Sequence, residues 1–395
     1  MAYDQPFDHY NENRYPMKVV LLKSGVKNAG GLEKTASRIA AGFQEHGANV
    51  SILTTAARHN SFDLTSIGIA LHALKIPAWP SFFRIQQFDK QVQRWLQKNP
   101  ADIVFGMDRN KHQTHIRAGN GVHAAYLKSR IATEGRFKYN VCLCNPLHRK
   151  ILQIEKEAFE DPKLKKIFTN SHMVKREILN HYSVDLDKIS VIHNGVEWEE
   201  MRSDFTSWPE QKREFCQLFH LDPDHFHLLF IGNGYLRKGL TPLLTALSLL
   251  QRKDVHLSIV GNDRHQDRYE ALANMLGLRS QVRFFGSQTN IRPFYQFADV
   301  LAIPSFYDPF ANVTVEALAM GLFVLSSKTN GGSEILTSQT GVIIDDLHSI
   351  ESIAASLEQV LLHQKTAKSA QARRSSIEHL DYGKQIKQLI ESCLA

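Results

Sequence analysis

Apolar residues along this chain fall into two alternating patterns. Short, nearly continuous apolar runs recur at Lys18–Lys23, Val50–Thr54, Asp102–Gly106, Lys166–Asn170, Ile189–Val196, His227–Ile231, Val255–Val260, Val282–Gly286 and Ala298–Ile303. Runs this short, bounded by Gly, Asn, Asp or Ser, predict strands buried on both faces, as in a parallel sheet. Between them the apolar positions space out at three and four. Leu32, Ala36, Ile39 and Phe43 share a face of a helix predicted over Leu32–His46, and Ile85, Phe88, Val92, Trp95 and Leu96 share one over Arg84–Lys98. Further helices are predicted over Arg149–Glu160, over Met173–Tyr182 with Ser171 as N-cap, from about Thr241, from Ile350 onward and over Tyr382–Cys393. Strand and helix alternate throughout, which predicts an α/β fold of doubly wound parallel sheets.

In such sheets ligands bind outside the carboxyl ends of the strands, so the turns there carry the chemistry. The first runs from Ser24 to Gly31 and holds Gly30-Gly31, where backbone N–H groups can meet a phosphate with no Cβ in the way. Many βα turns carry such a pair. The stretch Thr114–His123 reads as a strand that stops at a small-residue turn, which places Asn120 and His123 at a strand end. Gly232 to Gly239 carries Arg237 and Lys238 just before a helix, a setting suited to an anionic diphosphate. The stretch Pro304–Gly321 is a loop turning into a helix near Asn312, so the N–H groups of Asn312, Val313 and Thr314 form an anion site. Asp308 and Glu316 bracket it with seven residues between them, and Glu316, one turn inside, can reach a sugar hydroxyl.

The Asp308–Glu316 stretch resembles the paired-glutamate signature of the retaining GT-B glycosyltransferases of family 4, with Asp308 in place of the first Glu. Gly30-Gly31 is similar to the family's first donor loop, Val282–Gly286 to the segment bordering the nucleobase, and Thr329–Glu334 to its later glycine turn with a Glu. The adjacent Arg237-Lys238 resembles the lipopolysaccharide-core glucosyltransferase branch, which carries an Asp where this chain has Asn120. The resemblance implies GT-B architecture: two Rossmann-like domains, 17–196 on the acceptor side and 197–376 on the nucleotide-sugar side, with an inter-domain cleft. A leader over 1–16 precedes them, expected to be disordered, and a helix over 377–395 packs back on the first domain.

It further implies a metal-independent hexosyltransferase, with UDP-glucose as the first guess at the donor and a saccharide or lipid-linked saccharide, such as lipopolysaccharide core, as acceptor. Arg237 and Lys238 would stabilise the departing diphosphate and Glu316 would bind ribose. Gly30, Gly31, Asn312, Val313 and Thr314 would hold phosphate. Asp308 would orient the sugar through a hydroxyl, while Asn120 and His123 line the acceptor side. No cofactor beyond the donor is implied.

Charge refines this picture. Residues 1–196 hold 28 Lys+Arg against 17 Asp+Glu, a balance of +11, and the remainder holds 19 against 23, or −4. The basic half is expected to face something anionic, either a phosphorylated acceptor or a membrane surface touched peripherally. Aromatic residues do not interleave with the basic ones as in a nucleic-acid stacking platform, so no nucleic-acid partner is expected. No apolar run is long enough to span a bilayer and the first residues are not signal-like, which points to a cytoplasmic protein, peripheral on the inner membrane face at most. Cys142, Cys144, Cys216 and Cys393 lack metal-ligand spacing. Asp185-Leu-Asp187 and Asp222-Pro-Asp224 read as solvated turns rather than a metal-diphosphate site.

Two rivals remain at this level. A UDP-sugar 2-epimerase shares the architecture but needs acid/base carboxylates around the sugar. A non-catalytic sugar-nucleotide-binding protein would tolerate the departures at Asp308 and Asn120. A nicotinamide dehydrogenase is disfavoured, because the first turn, Ser24–Gly31, is not G-x-G-x-x-G.

Overall fold

The computed structural model describes residues 16–24, 31–55, 68–76 and 81–394; residues 1–15 of the expected leader, and Gly30, lie outside these. The chain packs as two compact units, one formed by residues up to Arg117 with Asp161–Lys165 and the other by Ala118–Glu160 with Lys166–Ala395.

The first unit contains strands β1 (Lys18–Leu22), β2 (Asn49–Thr54), β3 (Ala70–Ala73), β4 (Ile103–Gly106) and β5 (His115–Arg117), with helices α1 (Gly31–Glu45) and α2 (Ser81–Lys98). Its strands are parallel, in the order β3-β2-β1-β4-β5. Of the apolar face predicted for α1, Ala36, Ile39 and Phe43 are buried. On α2, Phe88 and Val92 pack with Val20, Leu22, Leu53 and Val104. Gly31 is the first residue of α1.

The second unit opens with α3 (His123–Cys144), α4 (Pro146–Phe159), β6 (Lys166–Thr169), α5 (His172–His181) and β7 (Ile189–Val191), with β6 and β7 paired in parallel. Helices α6 (Arg202–Thr206) and α7 (Trp208–Leu218) lead to a second parallel sheet. Its elements in chain order are β8 (Phe226–Ile231), α8 (Tyr235–Lys238), α9 (Leu240–Leu249), β9 (Val255–Val260), α10 (Gln266–Met275), β10 (Val282–Gly286) and α11 (Arg292–Phe297). They continue as β11 (Val300–Ile303), α12 (Asn312–Ala319), β12 (Phe323–Ser327), β13 (Gly341–Ile344), α13 (Ile350–Val360), α14 (Ala367–Ser376) and α15 (Tyr382–Leu394). The strand order is β10-β9-β8-β11-β12-β13, and every residue of β8, β11 and β12 is buried, which explains why they read as unbroken apolar runs. The order reverses between β8 and β11, so the turns leaving those two strands flank the point where a doubly wound sheet opens for ligand. At the C-terminus, α15 begins where the Tyr382 N–H donates to Val196 O at 2.8 Å.

Some elements depart from the sequence reading. Helix α3 carries no apolar periodicity and breaks at Gly135 (φ 83°, ψ 163°), so nothing in its pattern announces it. The Arg237-Lys238 segment, read as a turn, is a one-turn helix held between two left-handed glycines, Gly234 (φ 73°) and Gly239 (φ 78°). At Gly239 a Cβ would also overlap the Pro304 carbonyl oxygen, so only glycine lets α8 lie against the end of β11. Among the described residues no helix is long and apolar enough to cross a membrane.

Candidate active site

The turn after β8 and the turn after β11 meet through charge. Lys238 is 8% exposed, and its Nζ lies 2.5 Å from Asp308 Oδ2. Arg237 Nη1 approaches the same oxygen at 3.2 Å and donates to the Tyr307 carbonyl at 2.7 Å. Burial pushes the Lys238 ammonium below its ordinary pKa, and the Asp308 carboxylate opposes that shift. Asp308 was expected to orient the sugar through a hydroxyl. Its Oδ2 gathers the two cations, because two buried or half-buried positive charges need a carboxylate between them.

Helix α12 begins at Asn312, as the sequence predicted, with Ala311 at its N-cap. The N–H groups of Asn312 and Val313 lie in the first turn, where the helix itself supplies no acceptor. The third predicted contact is different: the Thr314 N–H donates to Ala311 O at 2.9 Å and the residue is fully buried, so Thr314 closes the turn rather than facing a ligand. Asn330 braces the entry, its Oδ1 accepting from the N–H groups of Ala311 (3.1 Å) and Gly332 (3.0 Å). Glu316 sits one turn inside, half-buried, with Oε2 accepting from the Tyr295 hydroxyl at 2.6 Å. Tyr295 thereby fixes the direction of that carboxylate.

The turn holding Asn120 packs against the Asp308 loop: a Cβ on Gly121 (φ 69°) would stand 2.6 Å from both Pro309 Cγ and the Tyr307 hydroxyl. Asn120 is exposed there. His123 is the first residue of α3 and is buried; its Nε2 lies 3.0 Å from His148 Nδ1, and its N–H donates to Glu155. Gly31 opens α1 in the first unit.

Tyr307 and Glu177 were not singled out by sequence. The Tyr307 hydroxyl donates to Glu177 Oε2 at 2.9 Å and accepts from the Val122 N–H at 3.3 Å. Burial raises the Glu177 carboxyl to about 7, against the Tyr307 bond, which lowers it. An aromatic residue directly before Asp308 was the available signal; Glu177 gave none, since its burial is supplied from 130 positions away.

Glu334 is a second seam. Its two oxygens accept from the N–H groups of His172 and Met173, each at 2.7 Å, placing a carboxylate on the first turn of α5. Burial works against its ionisation, but the bonds from His193 and the two backbone N–H groups outweigh it and hold the carboxyl below its ordinary pKa. His172, His193 and Glu334 present ligand atoms within 4.8 Å of one another, a set that could accept a divalent ion.

The Glycosyltransferase Family 4 model matches residues 29–200, and the Glycosyl transferases group 1 model matches residues 212–375. The chain is a family 4 glycosyltransferase of GT-B fold. This glycosyltransferase is 24% identical over 339 residues to the lipopolysaccharide glucosyltransferase WaaG of Escherichia coli, covering 84% of this chain and 86% of that one. A glycosyltransferase of Methanocaldococcus jannaschii, MJ1607, is 32% identical over 198 residues, about half of either chain. The crystal structure of WaaG superposes with a TM-score of 0.77 at 22% identity, covering 95% of this glycosyltransferase and 99% of WaaG. Anabaena HepE, solved with UDP and glucose, superposes at 0.66 with 18% identity, covering 96% and 99%. These likenesses fix the fold as two Rossmann-like parallel-sheet domains.

Proposed function

We propose that this glycosyltransferase is a retaining, metal-independent hexosyltransferase that moves glucose from UDP-glucose to a saccharide or lipid-linked saccharide acceptor, with lipopolysaccharide core as the model case. Residues 17–196 form the acceptor-side domain and residues 197–376 the nucleotide-sugar domain. One observation carries the reading: Arg237 and Lys238 are gathered on Asp308 at the switch point, in the loop that leads into α12, the helix that carries Glu316. Two cations and two helix N–H groups can bind a diphosphate and stabilise the charge it gains as the anomeric C–O bond breaks, work that a divalent ion does elsewhere. Glu316, aimed by Tyr295, takes the ribose hydroxyls. Gly30 and Gly31 are assigned to phosphate and Asn120 and His123 to the acceptor, as the family resemblance implies. The acceptor oxygen attacks from the face the diphosphate leaves, and its proton passes to the leaving phosphate.

A ligand that binds only the folded state raises the melting temperature. With EDTA present, UDP is expected to raise it while ADP, GDP and NAD do not. A shift that needs added metal would overturn metal independence, and no shift with any nucleotide would overturn the donor site.

The enzyme also docks peripherally on anionic membrane. Phe137 is 81% exposed and Val141 53% exposed on α3, with Arg136, Arg149 and Lys150 close by in sequence. Flotation with phosphatidylglycerol vesicles should recover the protein at low salt and lose it at high salt. Recovery that is equal at both would refute electrostatic docking.

A further inference from the structure

A cavity of about 760 Å³ is lined by α3, by the turn after β9 with the start of α10, and by Gly234 and Leu236 of the Arg237-Lys238 turn. Four fixed cations face it: Arg130 and Lys138 from α3, Arg264 and Arg268 from the β9–α10 side. Two carboxylates share the lining, and both are engaged. Glu134 accepts from Arg130 at 2.6 and 2.8 Å and lies 3.5 Å from Lys138, while Asp263 accepts from the N–H groups of Tyr235 (2.9 Å) and His265 (2.8 Å). Arg264 donates to His265 Nε2 at 2.9 Å, and neither Arg264 nor Arg268 has an ion pair among the described residues. The break at Gly135 falls between Glu134 and Lys138, and its φ and ψ lie in a region open essentially to glycine alone. That break lets both residues line one cavity.

The cavity is thus a pocket with positive charge to spare, and Tyr269 and Leu236 supply an apolar wall. Its volume falls within the roughly 300–1,000 Å³ of small-molecule sites, more than a bare phosphate needs. A sugar ring can lie on the Tyr269 face while a phosphate dianion takes the two guanidinium groups. Because Gly234 and Leu236 line it, the pocket adjoins the turn that holds the donor diphosphate without using Arg237 or Lys238.

We propose that this cavity binds a phosphate monoester carried by the acceptor saccharide. The assignment rests on the glycosyl-transfer reading above and names the class of acceptor that reading left open. Its test uses the full chain and reads the two sites separately, the donor site by the UDP-dependent rise in melting temperature and the cavity by calorimetric titration with glucose 6-phosphate, glucose and inorganic phosphate. Glucose 6-phosphate is expected to bind at least about tenfold more tightly than glucose, the worth of one charge-assisted contact. The double variant Arg264→Ala/Arg268→Ala should erase that difference and leave the UDP response unchanged. The same glucose 6-phosphate affinity in parent and double variant would overturn the assignment, as would no phosphate binding by a protein that still responds to UDP; either result leaves the donor reading standing. A parent without a UDP response defeats the donor reading instead. Phosphatidylglycerol vesicles form the last arm: if the double variant loses vesicle binding but keeps its glucose 6-phosphate affinity, the occupant is a lipid headgroup and the saccharide assignment fails.

Discussion

Replacing Lys238 by Ala is expected to lower turnover by about 10²–10³, the usual loss when one preorganised electrostatic contact to a developing anion is removed. The same change unbalances a buried pair, since Lys238 and Asp308 side chains are each only 10% exposed and 2.5 Å apart. Removing one member of such a pair costs about 3–5 kcal/mol when nothing replaces it. Arg237 still reaches Asp308 at 3.2 Å, so the loss here falls below that range. Rate and stability can be separated. Lys238→Met with Asp308→Asn removes both charges together and is expected to regain most of the stability while turnover stays low. Steady-state rates beside denaturant melts of the two variants decide it. If turnover returns with stability in the double variant, Lys238 serves the fold and not the leaving group.

The second large effect is a dependence of stability on pH that sits at Glu177. Its carboxyl rises from an ordinary 4.5 to about 7, chiefly through burial. The groups facing it are the Tyr307 hydroxyl, Arg176, Glu155 and the Val122 N–H; the last of these, with Tyr307 and Arg176, favours ionisation, and Glu155 opposes it. A raised carboxyl means the folded state holds its proton where the unfolded state has lost it. Stability from this group is therefore fully present below about pH 4.5 and is lost as pH rises through about 7. The span is about 3 kcal/mol for such a shift. Unfolding free energies at pH 5 and pH 8 should fall by that order in the parent and much less in Glu177→Gln. Equal slopes in the two proteins would show that Glu177 ionises as freely when folded as when unfolded.

The sequence exposed the parts of this enzyme whose signals are local. Buried parallel strands such as β8 and β11 announce themselves because both faces need apolar residues. The α12 entry was legible for the same reason, since Pro304, Pro309 and Gly321 punctuate it and Asn312 stands where a helix can begin. The misreadings share a different cause. The Arg237-Lys238 segment looked like a loop because its glycines suggested freedom, whereas Gly234 and Gly239 are the two left-handed ends of a helical turn. The ion pairs of Asp308 could not be read because its partners lie some 70 positions away. Thr314 looked available because the sequence does not disclose that the first turn of α12 tightens onto Ala311. Helix α3 was invisible for lack of periodicity, and the cavity it lines went unseen with it.

Tyr307 and Asp308 are joined by one peptide bond. One side chain answers to Glu177, whose carboxyl burial pushes up to about 7, and the other to the two cations assigned to the leaving diphosphate. A change of protonation on one flank of the loop therefore falls a single residue from the charge-stabilising groups on the other. A limb near pH 7 in the rate profile of this enzyme would therefore not identify a catalytic base: a mechanism with no acid or base of its own can inherit that limb from the backbone it is mounted on.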